Sequence, residues 1–414
     1  MKAIVILFSI YIFTSSLFGV DATLKIKKDV EDRTRISLLD GSTSNSNNFF
    51  NILLSDLKIS GHFLNDTNHN IGDFNSNSIS ASQKSREYVI KYNLVKSSGV
   101  KLSIKLINTS TNSVVFAKSY NMSSSSKLAF LAHKAIFDIN KALNYPDINW
   151  INRYVVYAVY TSSGRSEIRL SDYSFNYTKT LIRGGLNLFP KWADNNQRAI
   201  YYTSFRGGLP TLYKLNIYSG SKRKIVSSEG MLVCSDVSKD GSKLLLTMAP
   251  NGQPDIYEYR GGSKRRLTTF SGIDVNGRYI NNDTSIAFVS NRLGYPNIFK
   301  KSLSSSSASQ LVYKGRNNSA FDSYNNKIVY SARESNREFS SNSFNLYLTS
   351  TSSSSTRAIT SRGVNQFPRF SSDGSIILYL KNSGGSSSIG YTNIISHQSV
   401  LFPFSGRKIQ SIDW

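Results

Sequence analysis

The sequence predicts an α+β amino-terminal domain followed by an all-β six-bladed propeller, with a carboxyl-terminal strand completing the first blade. Three observations predict it. Segments with helical periodicity fall only within residues 23–150. Residues 151–414 number 264, six times 44, and repeat at that period as short strands between turns. The repeat begins without its leading element and ends on an extra copy of it.

Residues 1–22 read as an export signal. Behind Met1 and Lys2 runs an uncharged, mostly apolar stretch over residues 3–18, followed by Gly19-Val20-Asp21-Ala22. One positive residue, an apolar stretch and a Val-x-Ala site predict cleavage near Ala22. The stretch of 16 residues is shorter than the about 20 a membrane span needs. A periplasmic chain without its own membrane anchor is therefore expected.

The domain over residues 23–150 mixes elements. Residues 24–27 and 35–39 are strand-like. Phe50, Leu53, Leu54 and Leu57 recur at helical spacing within residues 49–59, and Gly61 marks the stop. Residues 88–94 and 101–107 alternate around a turn at 97–99, predicting a hairpin, and 114–120 supply a further strand. Leu128, Leu131, Ala135, Ile136 and Ile139 give a second helix, 128–143, one apolar face. Together they predict a sheet with helices on one side.

The propeller, residues 151–414, rests on two ladders. An anchor before a polar turn and a hydrophobic strand falls at Trp192, Val237, Ile280, Tyr324, Phe370 and Trp414, at intervals of 45, 43, 44, 46 and 44. The turns that follow, such as Asp240-Gly241 and Asp373-Gly374, tolerate the positive φ of tight hairpins. In another phase, Arg169, Tyr213, Tyr257, Phe299, Tyr347 and Tyr391 repeat at 44, 44, 42, 48 and 44. The extra anchor, Trp414, predicts that residues 410–414 form the innermost strand of blade one, pairing edges that would otherwise stay open.

Composition excludes several functions. A single cysteine, Cys234, removes any intramolecular disulfide framework or Cys-cluster metal site. The four histidines, His62, His69, His133 and His397, form no metal-ligand pair, and no nucleophile elbow, P-loop or zinc-protease motif occurs. No catalytic residue, metal or cofactor is expected, and Asp172 reads as a turn residue. The 50 Lys and Arg against 26 Asp and Glu give a net charge of +24. That charge fits a basic surface first, attraction to an anionic envelope or membrane surface next and nucleic-acid binding last; its densest runs are residues 222–224 and 264–266.

Four motifs carry a resemblance. Asp56-Leu57-Lys58-Ile59-Ser60-Gly61-His62-Phe63 resembles the helix end of TolB, the periplasmic propeller family of the Tol-Pal system. Ala132-His133 to Phe137-Asp138 resembles that family's second helix. Ile168-Arg169-Leu170-Ser171-Asp172-Tyr173 is similar to its first blade. Phe367-Pro368-Arg369-Phe370-Ser371, followed by Asp373-Gly374, is similar to a blade start. The resemblance implies a non-catalytic adaptor that supports outer-membrane integrity and constriction in cell division. It implies binding of the lipoprotein Pal by a propeller face, of TolA by the mature amino-terminal segment, and contact with other Tol-Pal envelope proteins. A monomer is expected, with no nucleic acid bound and membrane association only through partners. A propeller enzyme, peptidase or lyase, and an envelope glycan-binding module are the alternatives.

Propeller geometry and this resemblance together nominate contact residues, since loops on rigid sheets suit recognition. On the propeller face these are Asn187, Leu188, Phe205, Arg206, Met231 and Leu232, with Asp274, Asn276, Tyr295, Asn318 and Gln366. In the amino-terminal segment they are Asp21, Ala22, Thr23, Leu24, Lys25 and Ile26.

Overall fold

The computed structural model describes residues 33–43, 46–333, 343–383, 386–404 and 408–414. The export signal, the strand expected at 24–27 and the candidate segment Asp21, Ala22, Thr23, Leu24, Lys25 and Ile26 lie outside the described residues.

In the first domain, β1 (Thr34–Asp40) leads into α1 (Asn47–Ser60), which ends on Gly61 in a left-handed C-cap. Two short strands, β2 (Phe63–Asn65) and β3 (Asn70–Ile71), pair parallel to one edge of β1. On its other edge β1 pairs parallel with β4 (Tyr88–Lys96). β4 forms an antiparallel hairpin with β5 (Val100–Asn108), which pairs with β6 (Val114–Met122). α2 (Leu128–Ala142) lies beside α1. Leu53, Leu57, Leu131 and Ile136 share one core with Ile36, Ile90 and Ile104, so both helices cover one sheet face as the periodicity predicts. β2 and β3 are too short to show a period, so the sequence did not announce them.

The propeller has six four-stranded units. Their innermost strands are Asn187–Trp192, Leu232–Val237, Asp274–Ile280, Arg316–Tyr324 and Val364–Phe370 for blades two to six. Blade one takes its innermost strand, Ile409–Asp413, from the carboxyl end, which pairs antiparallel with Tyr154–Ser162. The expected closure is present. A parallel bridge between Phe344 and Val364 joins blades five and six.

Strand register corrects one ladder. Trp192, Val237 and Phe370 pair with Ile200, Leu244 and Ile377 of the second strands. The residues opposite the equivalent Ile286 and Ile328 are Tyr279 and Ser323, one position before Ile280 and Tyr324. In those two blades a large apolar or aromatic residue directly follows the register position and mimics the anchor.

Each blade carries inter-blade loops on one side, here the loop face. The hairpins joining innermost to second strands lie on the other, the hairpin face. The amino-terminal domain reaches the hairpin-face side of blades one and six. Arg33 donates to the Ser396 carbonyl at 2.9 Å, and Asn393 donates to the Ser60 carbonyl at 3.3 Å. Trp414 packs edge-on against Trp150 and Tyr391, at 5.6 and 5.5 Å between ring centres.

Candidate partner-binding faces and the domain junction

Six innermost strands place six side chains around the channel: Lys191, Asp236, Arg278, Asp322, Arg369 and Asp413. Their signs alternate from blade to blade. Lys191 lies 3.4 Å from Asp236 and 3.1 Å from Asp413. Arg278 lies 3.7 Å from Asp236 and 3.2 Å from Asp322, and Arg369 lies 3.4 Å from Asp413. Each carboxylate also accepts a backbone N–H from the next blade: Trp192 to Asp413 at 2.8 Å, Tyr279 to Asp236 at 2.8 Å, and Phe370 to Asp322 at 2.9 Å. Burial alone would raise Asp413, but the charges of Lys191, Arg369 and Arg278 outweigh it and hold its carboxyl below the usual range. The circle satisfies its charges internally and divides the channel into two mouths.

The backbone alternates with the charge. Phe189, Asn276 and Phe367 each stand two residues before a cation at φ of 56°, 57° and 53°. Bulky side chains rarely adopt that conformation, and such strain costs of order 1–3 kcal/mol and gathers at functional sites. Phe189 and Phe367 line the loop-face mouth with Met231, Val233 and Val275, a cavity of about 300 Å³ floored by the charged circle. The hairpin-face mouth, about 420 Å³, is polar and includes Asp194, Lys239, Asn282 and Ser371.

The nominated propeller residues divide into two sets. Met231 and Asn276 line the loop-face mouth, with Met231 48% exposed. Phe205, Tyr295 and Gln366 are half-buried and Arg206 is exposed. Asn187, Leu188, Leu232, Asp274 and Asn318 are buried, a correction to their expected exposure. Asp274 receives two hydrogen bonds from Arg292, both 3.1 Å. Asn187 donates to the Gly184 carbonyl at 2.8 Å, and Asn318 to the Lys314 carbonyl at 3.2 Å. Their side chains turn inward to pair loop carbonyls and charges that would otherwise be buried unmatched.

Three of the motifs meet at the domain junction. His133 Nδ1 lies 2.8 Å from Asp56 Oδ2, and Nε2 lies 3.2 Å from Asp172 Oδ2, with all three side chains fully buried. The Tyr173 hydroxyl donates to Asp56, and the Tyr391 hydroxyl donates to the Tyr173 carbonyl at 2.5 Å. Asp172 accepts the N–H groups of Ser174 and Tyr177 at 2.7 and 2.6 Å, the turn role read from the sequence. Burial would push His133 down, but the Asp56 charge and hydrogen bonds to Asp172 and Asp56 raise it to about 9. Burial instead raises Asp56, while hydrogen bonding and charge from His133 hold Asp172 low against burial. An imidazolium with both nitrogens committed cannot accept a proton from a substrate. It fastens α1 and α2 to blade one.

Burial pushes the Cys234 thiol up, away from the thiolate form that reacts. Among the described residues no group of three or more His, Cys, Asp and Glu side chains is placed to hold a metal ion. No helix among them is long and apolar enough to cross a membrane.

A closed propeller clamped to a small α+β domain, with side chains displayed at two channel mouths, defines a protein of the β-propeller class. The pattern of the TolB beta propeller domain matches residues 151–411. The Tol-Pal system protein TolB of Wolinella succinogenes is 42% identical, with 99% of this chain and 100% of that one covered. That of Campylobacter jejuni is 39% identical over the full length of both chains. The crystal structure of TolB from Acinetobacter baumannii superposes with a TM-score of 0.74 at 21% identity, covering 92% of this chain and 97% of that chain. The chain belongs to the TolB family and is a component of the Tol-Pal system.

Proposed function

We propose that this chain is a non-catalytic periplasmic adaptor that binds the lipoprotein Pal at the loop-face mouth and TolA through residues 21–26. Through these partners it serves outer-membrane integrity and constriction during cell division. The observation that carries the reading is the loop-face mouth. It presents apolar side chains on a stiff floor, holds Phe189 and Phe367 in a strained backbone, and leaves Met231 exposed at its rim. Aromatic residues and Met in a preformed cavity suit a protein interface core. The described part of the amino-terminal domain lies toward the hairpin face, away from the loop-face mouth. Removal of the export signal near Ala22 leaves the segment of residues 21–26 at the chain terminus, with Asp21 and Ala22 part of it where cleavage falls before them, and terminal order is lost at little cost.

The test is affinity capture from an envelope extract with the exported chain and with a version lacking residues 21–28. The reading predicts that the truncated chain keeps Pal and loses TolA. Identical capture by both would contradict the use of the terminal segment.

A further inference from the structure

We propose that the cleft between blades two and three binds a phosphoryl group. Lys214 and Arg223 stand directly opposite one another on the two outer strands of blade two, Thr211–Asn216 and Lys222–Ser227. Like charges in that relation repel. The next blade shows the ordinary solution: at the equivalent register Glu258 faces Arg265, and the two pair at 3.0 Å. In blade two a lysine replaces that carboxylate. Among the described residues neither Lys214 nor Arg223 has an acidic side chain within 4.0 Å.

Both cations line one open cleft of about 250 Å³ with Tyr201, Tyr259 and the Gly261-Gly262 hairpin. The Lys214 ammonium sits 5.4 Å from the centre of the Tyr201 ring. Tyr259 donates across the blade boundary to the Ile225 carbonyl at 3.3 Å, fixing the floor. Gly261 and Gly262 have φ of 53° and 94°, and nothing stands within 4 Å of where a Cβ would be, so the approach is open.

Charge selects the ligand. A carboxylate would neutralise one of two opposed cations, whereas a phosphate monoester near neutral pH carries up to two charges. It matches a planar guanidinium fork beside a lysine point charge. Exposed Lys222, Lys224 and Lys264 add positive potential around the cleft that steers an anion toward it. The group belongs either to free phosphate or to a phosphomonoester lipid headgroup.

The test measures thermal unfolding of the exported chain in inorganic phosphate and in chloride at equal ionic strength. It adds cosedimentation with vesicles of phosphatidic acid or of phosphatidylglycerol. A saturable, phosphate-specific rise in Tm is expected. Arg223→Gln weakens the phosphate response roughly tenfold or more, and alone raises Tm in chloride by relieving the repulsion. Lys101→Gln, an exposed lysine on β5 of the amino-terminal domain, leaves the phosphate response unchanged. Retention on phosphatidic acid vesicles that Arg223→Gln abolishes assigns the headgroup as source; a phosphate response without it assigns the free anion. Absence of both, a response that survives Arg223→Gln, or equal retention on both lipids would overturn the proposal.

Discussion

Lys191 Nζ lies 3.1 Å from Asp413 Oδ1, tying blade two to the strand that the carboxyl end lends to blade one. Asp413 is also 3.4 Å from Arg369 and accepts the Trp192 N–H. One carboxylate thus joins both neighbouring blades across the seam of the ring.

Replacing Asp413 by Ala leaves Lys191 and Arg369 without this shared partner. Breaking a buried pair this way costs about 3–5 kcal/mol. The measurement is the denaturant midpoint, which should fall sharply. Exchanging both members for apolar side chains of similar volume, Asp413→Leu with Lys191→Met, should recover part of the loss. Deleting residues 409–414 should go further and abolish the single cooperative transition.

The His133 clamp makes stability depend on pH. Its folded pKa, about 9, stands above the ordinary 6.5, so the folded state binds the proton more tightly. The contribution is full below pH 6.5 and is lost as pH rises through about 9. Denaturant unfolding from pH 6 to pH 10 should show this decline. His133→Gln should flatten it and lower stability at pH 6.

Gly61 serves two roles that one methyl group would break. Its φ is 81°, and a Cβ would lie 2.4 Å from Ser396 Oγ. Gly61→Ala should destabilise by about 1 kcal/mol or more. Ser396→Gly in the same chain should relieve the Ser396 contact but leave the backbone cost and the Asn393 amide at 2.9 Å, so thermal melts of the two variants separate the Ser396 clash from the rest.

The sequence was legible where repetition or helical periodicity spoke. The six-blade count, the closing strand and both helices followed from intervals and apolar faces. The alternating charges were also present, one residue before the register anchors, but with the ladder displaced at Ile280 and Tyr324 the cations and carboxylates did not line up. The domain junction stayed hidden for another reason. Asp56, His133 and Asp172 are 77 and 39 residues apart in chain order, and only the tertiary packing brings them together. Asp274 and Asn318 misled because a polar residue at a loop end reads as exposed, whereas the blade uses it to seal its own loop.

That distinction can be measured. Asp274→Ala should lower stability by about 1–3 kcal/mol, because Arg292 loses its charged acceptor. Unfolding curves check it, and an unchanged midpoint would place Asp274 outside the structural set.

The most direct measurement is a titration of the soluble domain of Pal into the exported chain and into Met231→Asp. Met231 is half exposed at the rim of the loop-face mouth, so the substitution should leave Tm nearly unchanged. The account predicts binding weakened about tenfold or more. Equal affinity for the two chains would contradict the loop face as the Pal site.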